Sequence, residues 1–188
     1  MLASLCALIE SRDPHAFGHA RRTAELAVTL AERLGWSRGE LGTLRLGALL
    51  HDVGKVAVPV AVLRKPSALE PVELAAIRRH PLVGARLLSR VPAARPGLAS
   101  VLFHHERWDG CGYPLGRAGE EIPPEARVVA IADAFDAMTT RSAYRRALSV
   151  SQALAEIDDC AGAQFDPVYA QSFVELWERA AAAAAAAS

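Results

Sequence analysis

Histidines and aspartates occur in this sequence where metal ligands are often found, beside polar residues and near predicted helix ends. Asp52 directly follows His51, two histidines are adjacent at positions 104 and 105, and Asp133 lies further along the chain. The histidines are His15, His19, His51, His80, His104 and His105. A single histidine is more often a surface or hydrogen-bonded residue, but this set supplies enough imidazole and carboxylate for two metal ions.

The donor types indicate which metals such a site would hold. Imidazole nitrogens and carboxylate oxygens without thiolates suit Fe, Mn, Ni or Zn, whereas Mg and Ca prefer shells made only of oxygen. The cysteines, Cys6, Cys111 and Cys160, are far apart and form no CxxC pair, which disfavours a zinc knuckle and a disulfide framework. We therefore expect two divalent transition metals, with Fe and Mn preferred. Because no disulfide framework is expected, a reducing compartment is favoured, and we predict a cytoplasmic protein.

The elements that must position these residues are predicted to be helices. Apolar residues recur at intervals of three and four along most of the chain, and β-branched residues rarely alternate with polar ones. One apolar stripe ends before Gly35, and Ser37 with Glu40 then predicts a capping box for a helix that leads into His51. The pattern predicts an all-α fold.

Further helices are predicted on either side of His80. Ser67 and Glu70 repeat the capping pattern, and Pro81 is expected to close that helix just after His80. Another short helix is expected over residues 82–90.

The second half of the chain begins with a loop. Residues 106–124 are dense in Gly and Pro, and a helix is expected to resume around Glu125. That helix places Asp133 and Asp136 one turn apart on one face. Two more helices complete the domain, beginning at Ser149 and Asp166.

The composition fits one globular domain. Of the 188 residues, 52% are hydrophobic and 22% are charged, which is enough apolar material for one core. Lys plus Arg number 21 and so do Asp plus Glu, which argues against binding of polymeric nucleic acid, and no apolar stretch approaches the roughly 20 residues of a membrane span. We predict one domain over 1–178 and an Ala-rich helical or frayed tail over 179–188, without membrane insertion.

Four motifs make the chain resemble the HD-GYP domain family. They are HDVGK at 51–55, HP at 80–81, HHERWDGCGYP at 104–114 and IADAFDAMTT at 131–140, and the resemblance extends from Asp13 to Pro167. The third motif discriminates, because a generic HD hydrolase would lack it. The resemblance implies an HD-domain helical bundle with a Gly/Pro-rich GYP loop, and a metal-dependent phosphodiesterase that hydrolyses cyclic di-GMP to pGpG, GMP or both.

The resemblance also implies a ligand set for each metal. The first metal would bind His19, His51, Asp52 and Asp133, and the second would bind Asp52, His80, His104 and His105. Two cations roughly 3.5–4 Å apart lower the pKa of a shared water and neutralise charge that develops on a phosphodiester. A hydroxide bridging the metals would be the nucleophile.

Two charged residues next to these ligands are predicted to be catalytic together with Asp52. Lys55 stands four residues after His51 and can offer its ammonium to a phosphate oxygen; its alternative is a solvated surface lysine. Asp136, one turn beyond Asp133, is implied to accept a proton or position water; its alternative is an exposed helix charge.

The chain departs from the family pattern at two places. His15 stands where members with a third metal carry Glu, so His15 is either a third-metal ligand or a polar wall residue. Ser142 replaces an Arg of the family pattern, and Arg141 and Arg145 are left to bind substrate. Tyr113 in the GYP loop would face substrate or another protein.

Other functions remain compatible with these residues. The chain could be a non-catalytic module that senses nucleotide or docks a partner, or it could hydrolyse another cyclic dinucleotide, because metals recognise only the phosphate. The implied protein partners are diguanylate cyclases (GGDEF proteins) and sensory or response-regulator proteins. The sequence leaves open whether this chain is a stand-alone domain or a fragment.

Overall fold

The computed structural model describes residues 11–12, 18–140 and 146–186, and it describes side chains through residue 181. Nine α-helices lie in these ranges. They are α1 (His19–Arg33), α2 (Arg38–Leu50), α3 (Val60–Leu63), α4 (Pro71–Arg78), α5 (His80–Leu88), α6 (Leu98–Phe103), α7 (Pro124–Thr139), α8 (Val150–Asp159) and α9 (Pro167–Ala186). Short 3₁₀ helices cover Val53–Ala57, Pro92–Gly97 and Gly119–Glu121. The described ranges contain no β-strand, so the all-α prediction is confirmed.

The main core is built by the apolar faces of α1, α2, α7, α8 and α9. Leu30, Leu44, Ile131, Ile157 and Phe173 are fully buried there. Burying a side chain of this size contributes about 1.5–3 kcal/mol. The core therefore holds α1 and α7 side by side, which matters because each carries candidate site residues.

A second apolar cluster lies beneath the HD motif. Leu50 at the end of α2 packs with Val53, Leu88, Ala94 and Val101 from the turn, α5, the following 3₁₀ helix and α6. These contacts join the elements that carry His51, His80 and His104.

Capping boxes start α2 and α4, the first at the predicted residues and the second at different residues. The capping box of Ser37 and Glu40 is present, but the box before α4 joins Glu70 and Glu73 rather than Ser67 and Glu70. The Glu73 carboxylate accepts a hydrogen bond from the Glu70 backbone N–H at 2.7 Å, and Pro71 takes the first helical position, where a missing N–H costs nothing.

Pro81 does not close a helix, as the sequence suggested, but lies in the first turn of α5. Proline is tolerated there for the same reason. The predicted loop 106–124 also contains the 3₁₀ turn Gly119–Glu121. Across the described residues, no helix is long and apolar enough to cross a bilayer.

Candidate metal centre

The structure brings all seven residues that were predicted as metal ligands into one buried cluster. Two groups have ligand atoms that all lie within 4.8 Å of one another: Asp52, His80, His104 and His105, and His19, His51 and Asp52. Asp133 completes the second group, since its Oδ1 lies 3.1 Å from His19 Nε2 and 3.8 Å from His51 Nε2. We call these seven residues the His–Asp cluster. Asp52 belongs to both groups, as a bridging ligand would.

The HD pair is positioned by the end of α2. His51 is the C-cap of this helix, and Asp52 begins the following 3₁₀ turn. Gly54 in that turn packs directly on the backbone of His80 and Gly84, and an added Cβ would overlap the His80 carbonyl oxygen. Only glycine permits this approach, which places the start of α5, and with it His80, beside Asp52.

The remaining ligand candidates come from other elements. His104 is the C-cap of α6, and His105 follows it into the loop. His19 begins α1, and Asp133 lies in the middle of α7. The site is therefore assembled by tertiary packing.

Four of the histidines have their Nδ1 atoms engaged by oxygen. The Nδ1 of His51 lies 2.7 Å from the Ala48 carbonyl, that of His80 lies 2.8 Å from the Ile77 carbonyl, and that of His104 lies 3.0 Å from the Ser100 carbonyl. In His19 the partner is a carboxylate, Asp136 Oδ2, at 2.7 Å. Because an oxygen acceptor requires a proton on Nδ1, Nε2 is the nitrogen that each of these rings turns toward the cluster and that is left to bind a metal.

The Nε2 atoms of His51, His80 and His104 face other acceptor atoms. The Nε2 atoms of His80 and His104 are 3.2 Å apart, and Asp52 Oδ1 is 3.3 Å from His80 Nε2. His51 Nε2 and Asp52 Oδ1 are buried without a hydrogen-bond partner among the described residues. Buried lone pairs that face one another are costly unless a cation lies between them, so the donor set fits a metal centre.

The protonation states suit metal binding. Burial lowers the pKa of His105 to about 4, and burial together with the neighbouring imidazoles lowers the pKa of His104. Burial would raise the pKa of Asp52, but Lys55 and His51 outweigh it and hold this pKa well below its usual range. Neutral imidazoles and ionised carboxylates are the forms that bind metals.

His19 differs from the other histidines because carboxylates surround it. Burial lowers its pKa, but hydrogen bonds to Asp133 and Asp136 raise it to about 10. Asp136 also accepts hydrogen bonds from Arg22, from Nε at 2.6 Å and from Nη2 at 3.1 Å. The sequence analysis did not identify Arg22, although its position one turn after His19 on the same helix face could have indicated it.

Lys55 reaches the cluster through Asp52. Its Nζ lies 2.6 Å from Asp52 Oδ2, and its side chain is 23% exposed. The ammonium therefore lies between a proposed bridging ligand and solvent.

The GYP loop is held against His105 by its own motif residues. Glu106 is 3% exposed and accepts hydrogen bonds from the backbone N–H groups of Leu115 at 2.7 Å and Arg117 at 3.1 Å. A Cβ on Gly112 would overlap the Arg107 backbone nitrogen. The Tyr113 ring then stacks on the His105 imidazole with centroids 4.7 Å apart.

A cavity of about 280 Å³ opens beside the cluster. Its wall includes Arg78, His104, His105, Tyr113, Asp133 and Gln164. Tyr113 therefore lies next to the proposed ligands. His15, Arg141 and Arg145 lie outside the described residues.

The sequence matches a known family over most of its length. The HD domain family matches residues 4–168. A protein of Thermotoga maritima named cyclic di-GMP phosphodiesterase is 37% identical over 178 residues, which cover 94% of this chain and 48% of that protein. The cyclic di-GMP phosphodiesterase response regulator RpfG of Xanthomonas campestris is 42% identical over 168 residues, covering 88% of this chain and 44% of that protein. The chain thus spans less than half the length of these relatives.

The fold has a solved counterpart. The HDG"Y"P protein Bd1817 of Bdellovibrio bacteriovorus superposes with a TM-score of 0.68 at 24% identity, covering 85% of this chain and 51% of that one. This similarity shows a shared fold, and the sequence matches show shared ancestry. The chain therefore belongs to the HD domain family.

Proposed function

We propose that this protein is a metal-dependent phosphodiesterase that hydrolyses cyclic di-GMP to pGpG, to GMP or to both. The observation that carries the proposal is the His–Asp cluster, in which imidazole nitrogens and carboxylate oxygens converge and His51 Nε2 and Asp52 Oδ1 are buried with no hydrogen-bond donor among the described residues. The names of the Thermotoga and Xanthomonas relatives support the choice of substrate.

The proposed centre holds two divalent transition metals, Fe or Mn in preference to Ni or Zn. One metal would bind His19, His51, Asp52 and Asp133, and the other would bind Asp52, His80, His104 and His105. When bound, such a pair activates a shared water and offsets the negative charge of a phosphodiester. A third metal at His15 stays a prediction.

Two residues next to the proposed ligands, Lys55 and Asp136, have further roles in this proposal. The Lys55 ammonium, at the solvent side of Asp52, would donate a hydrogen bond to a phosphate oxygen. Both oxygens of Asp136 are already engaged by His19 and Arg22. We therefore propose that Asp136 positions His19 by holding its Nδ1 proton, in place of accepting a proton from substrate or water.

Substrate would lie in the cavity beside the cluster. Tyr113 forms part of its wall, with the Arg78 guanidinium 5.4 Å from the ring centroid. Contacts from Arg141 and Arg145 to phosphate or guanine stay predictions, as do cytoplasmic location and docking to diguanylate cyclases or sensory proteins.

The proposal is tested by product analysis. Purified protein reconstituted anaerobically with Fe(II) or Mn(II) is incubated with cyclic di-GMP or with another cyclic dinucleotide, cyclic di-AMP, and the products are identified by mass spectrometry. Formation of pGpG or GMP supports the proposal. Cleavage of cyclic di-AMP alone would identify a hydrolase of another cyclic dinucleotide, and no cleavage by fully metallated protein would favour a non-catalytic module.

A further inference from the structure

A second cavity, larger than the one beside the His–Asp cluster, has Lys55 in its wall. It has a volume of about 460 Å³, within the range of small-molecule sites. Its wall includes Lys55, Val62, Leu63, Ala68, Leu69 and Ile77. We call it the α3–α4 cavity, because the helices α3 and α4 and the segment between them enclose it.

This cavity adjoins the His–Asp cluster through two of its wall residues. The Lys55 ammonium is 2.6 Å from Asp52 Oδ2, and the Ile77 carbonyl accepts the hydrogen bond from His80 Nδ1. The neighbouring residue Arg78 belongs to the wall of the smaller cavity, so the end of α4 borders both spaces. Because Lys55 also belongs to the wall of the α3–α4 cavity, a ligand whose phosphodiester contacts the Lys55 ammonium would lie at the edge of that cavity.

The wall chemistry suits a nucleobase. Val62, Leu63, Leu69 and Ile77 offer apolar surface, which matches the flat faces of a purine. The wall also carries polar residues, among them Ser67 and Lys65, whose ammonium is held 2.6 Å from Glu73 Oε2. Few polar groups in a mostly apolar wall are typical of sites that orient a small ligand.

We propose that the α3–α4 cavity binds one nucleobase of the cyclic dinucleotide, while Lys55 contacts the phosphodiester at the metals. The inference rests on the proposed function and adds to it a binding site for a base. In this arrangement Lys55 lies between the reacting phosphate and the bound base.

The test fills the cavity from an exposed position. Ala68→Trp places an indole in the space, and Val72→Trp, on the exposed face of α4 outside the cavity wall, is the matched control. For each protein, kcat/KM is measured with cyclic di-GMP and with bis(p-nitrophenyl) phosphate, a diester without a nucleobase. Ser67→Trp is a second filling variant if Ala68→Trp does not fold.

We expect Ala68→Trp to lower the ratio of the two kcat/KM values roughly tenfold or more, mainly through KM for cyclic di-GMP, and Val72→Trp to leave the ratio as in wild type. An unchanged ratio in both filling variants would overturn the inference. A wild-type protein that cleaves bis(p-nitrophenyl) phosphate but no cyclic dinucleotide would instead overturn the proposed function, and the inference with it.

Discussion

The ring orientation of each histidine decides whether the cluster can act as a ligand set. Backbone carbonyls bind the Nδ1 atoms of His51, His80 and His104, and Asp136 binds that of His19. The Nε2 atoms of these rings therefore point inward, where they can bind a metal. Because the rings are already oriented, less conformational entropy is lost when a metal binds, which favours metal binding at this cluster of buried acceptor atoms.

Lys55 is expected to contribute to turnover and not to metal binding. Lys55→Ala removes the ammonium beside Asp52 but none of the seven proposed ligands. Loss of a charged hydrogen bond to the phosphate should lower kcat/KM for cyclic di-GMP roughly tenfold to a hundredfold, with bound metal unchanged. Metal content is measured by inductively coupled plasma mass spectrometry. A variant that loses its metals would show that Lys55 supports the fold of the site.

The Asp136–Arg22 pair is expected to act through His19. Asp136→Asn or Arg22→Ala should weaken binding of the metal at His19 by roughly 10- to 100-fold, the usual effect of losing such an outer contact. Arg21→Ala is the matched control, because Arg21 is adjacent on α1 but pairs only with the exposed Glu25 in the described structure.

Metal affinity is followed by isothermal titration with Mn(II), so the result does not depend on activity. Equal affinities in the Arg22 and Arg21 variants would contradict the positioning role.

The sequence points to His51, Asp52, His104 and His105 through the adjacent pairs HD and HH, whereas the full set of seven ligands follows only from the resemblance to the HD-GYP family. Arg22 left only the weak signal of its position one turn after His19, and the α3–α4 cavity left none. Their significance depends on which surfaces of α1, α4 and α7 meet, and spacing along one helix does not determine that. The pairing of Lys55 with Asp52 likewise required the 3₁₀ turn, which a helical pattern does not distinguish from a loop.

Among the elements, the GYP loop (residues 106–124) holds the His105 side chain in position. The buried Glu106 carboxylate accepts hydrogen bonds from two backbone N–H groups of the same loop. Gly112 allows the loop to pass close to the backbone of residues 105–107, and the Tyr113 ring stacks on the His105 ring. The residues after His105 therefore fix the position of a proposed ligand.

Removal of the Glu106 carboxylate should destabilise the GYP loop. Glu106→Ala leaves two backbone N–H groups without their carboxylate acceptor, which should cost roughly 2–4 kcal/mol in free energy of unfolding and lower the melting temperature by roughly 5–10 °C. Glu120→Ala, at an exposed carboxylate of the same loop, should have little effect. Melting is followed by circular dichroism, and equal melting temperatures in the two variants would contradict the role of Glu106.

The elements themselves were largely predictable, but the start of α4 and the helix that contains Pro81 were not. Apolar spacing and the Ser37–Glu40 capping box located α1 and α2 correctly. The box before α4 was misplaced because Ser67 and Glu70 satisfy the same pattern as Glu70 and Glu73, and the choice depends on which backbone N–H the carboxylate reaches.

At the scale of the whole molecule, the cluster joins segments that are distant in sequence. Its residues come from α1, the end of α2, α5, the end of α6 and α7. Metals bound there would link these segments and stabilise only the folded chain.

Removal of metal should therefore lower the stability of the wild-type protein. A metal present at about 100 times its dissociation constant stabilises by about 2.7 kcal/mol, which corresponds to a fall of roughly 5–10 °C in melting temperature on chelation. Differential scanning calorimetry with and without chelator measures the change, and readdition of Mn(II) should reverse it. An unchanged melting temperature after complete metal removal would mean that metal binding is not coupled to folding.

The central claim is that two metals held by the His–Asp cluster act on one phosphodiester. It is tested most directly by titrating Mn(II) into metal-free protein and measuring bound metal and cyclic di-GMP turnover in the same samples, for wild type and for Asp52→Ala. We predict that turnover reaches its maximum only when two equivalents are bound, and that the variant neither retains both metals nor turns over substrate. Full turnover with one equivalent, or wild-type turnover in Asp52→Ala, would contradict the claim.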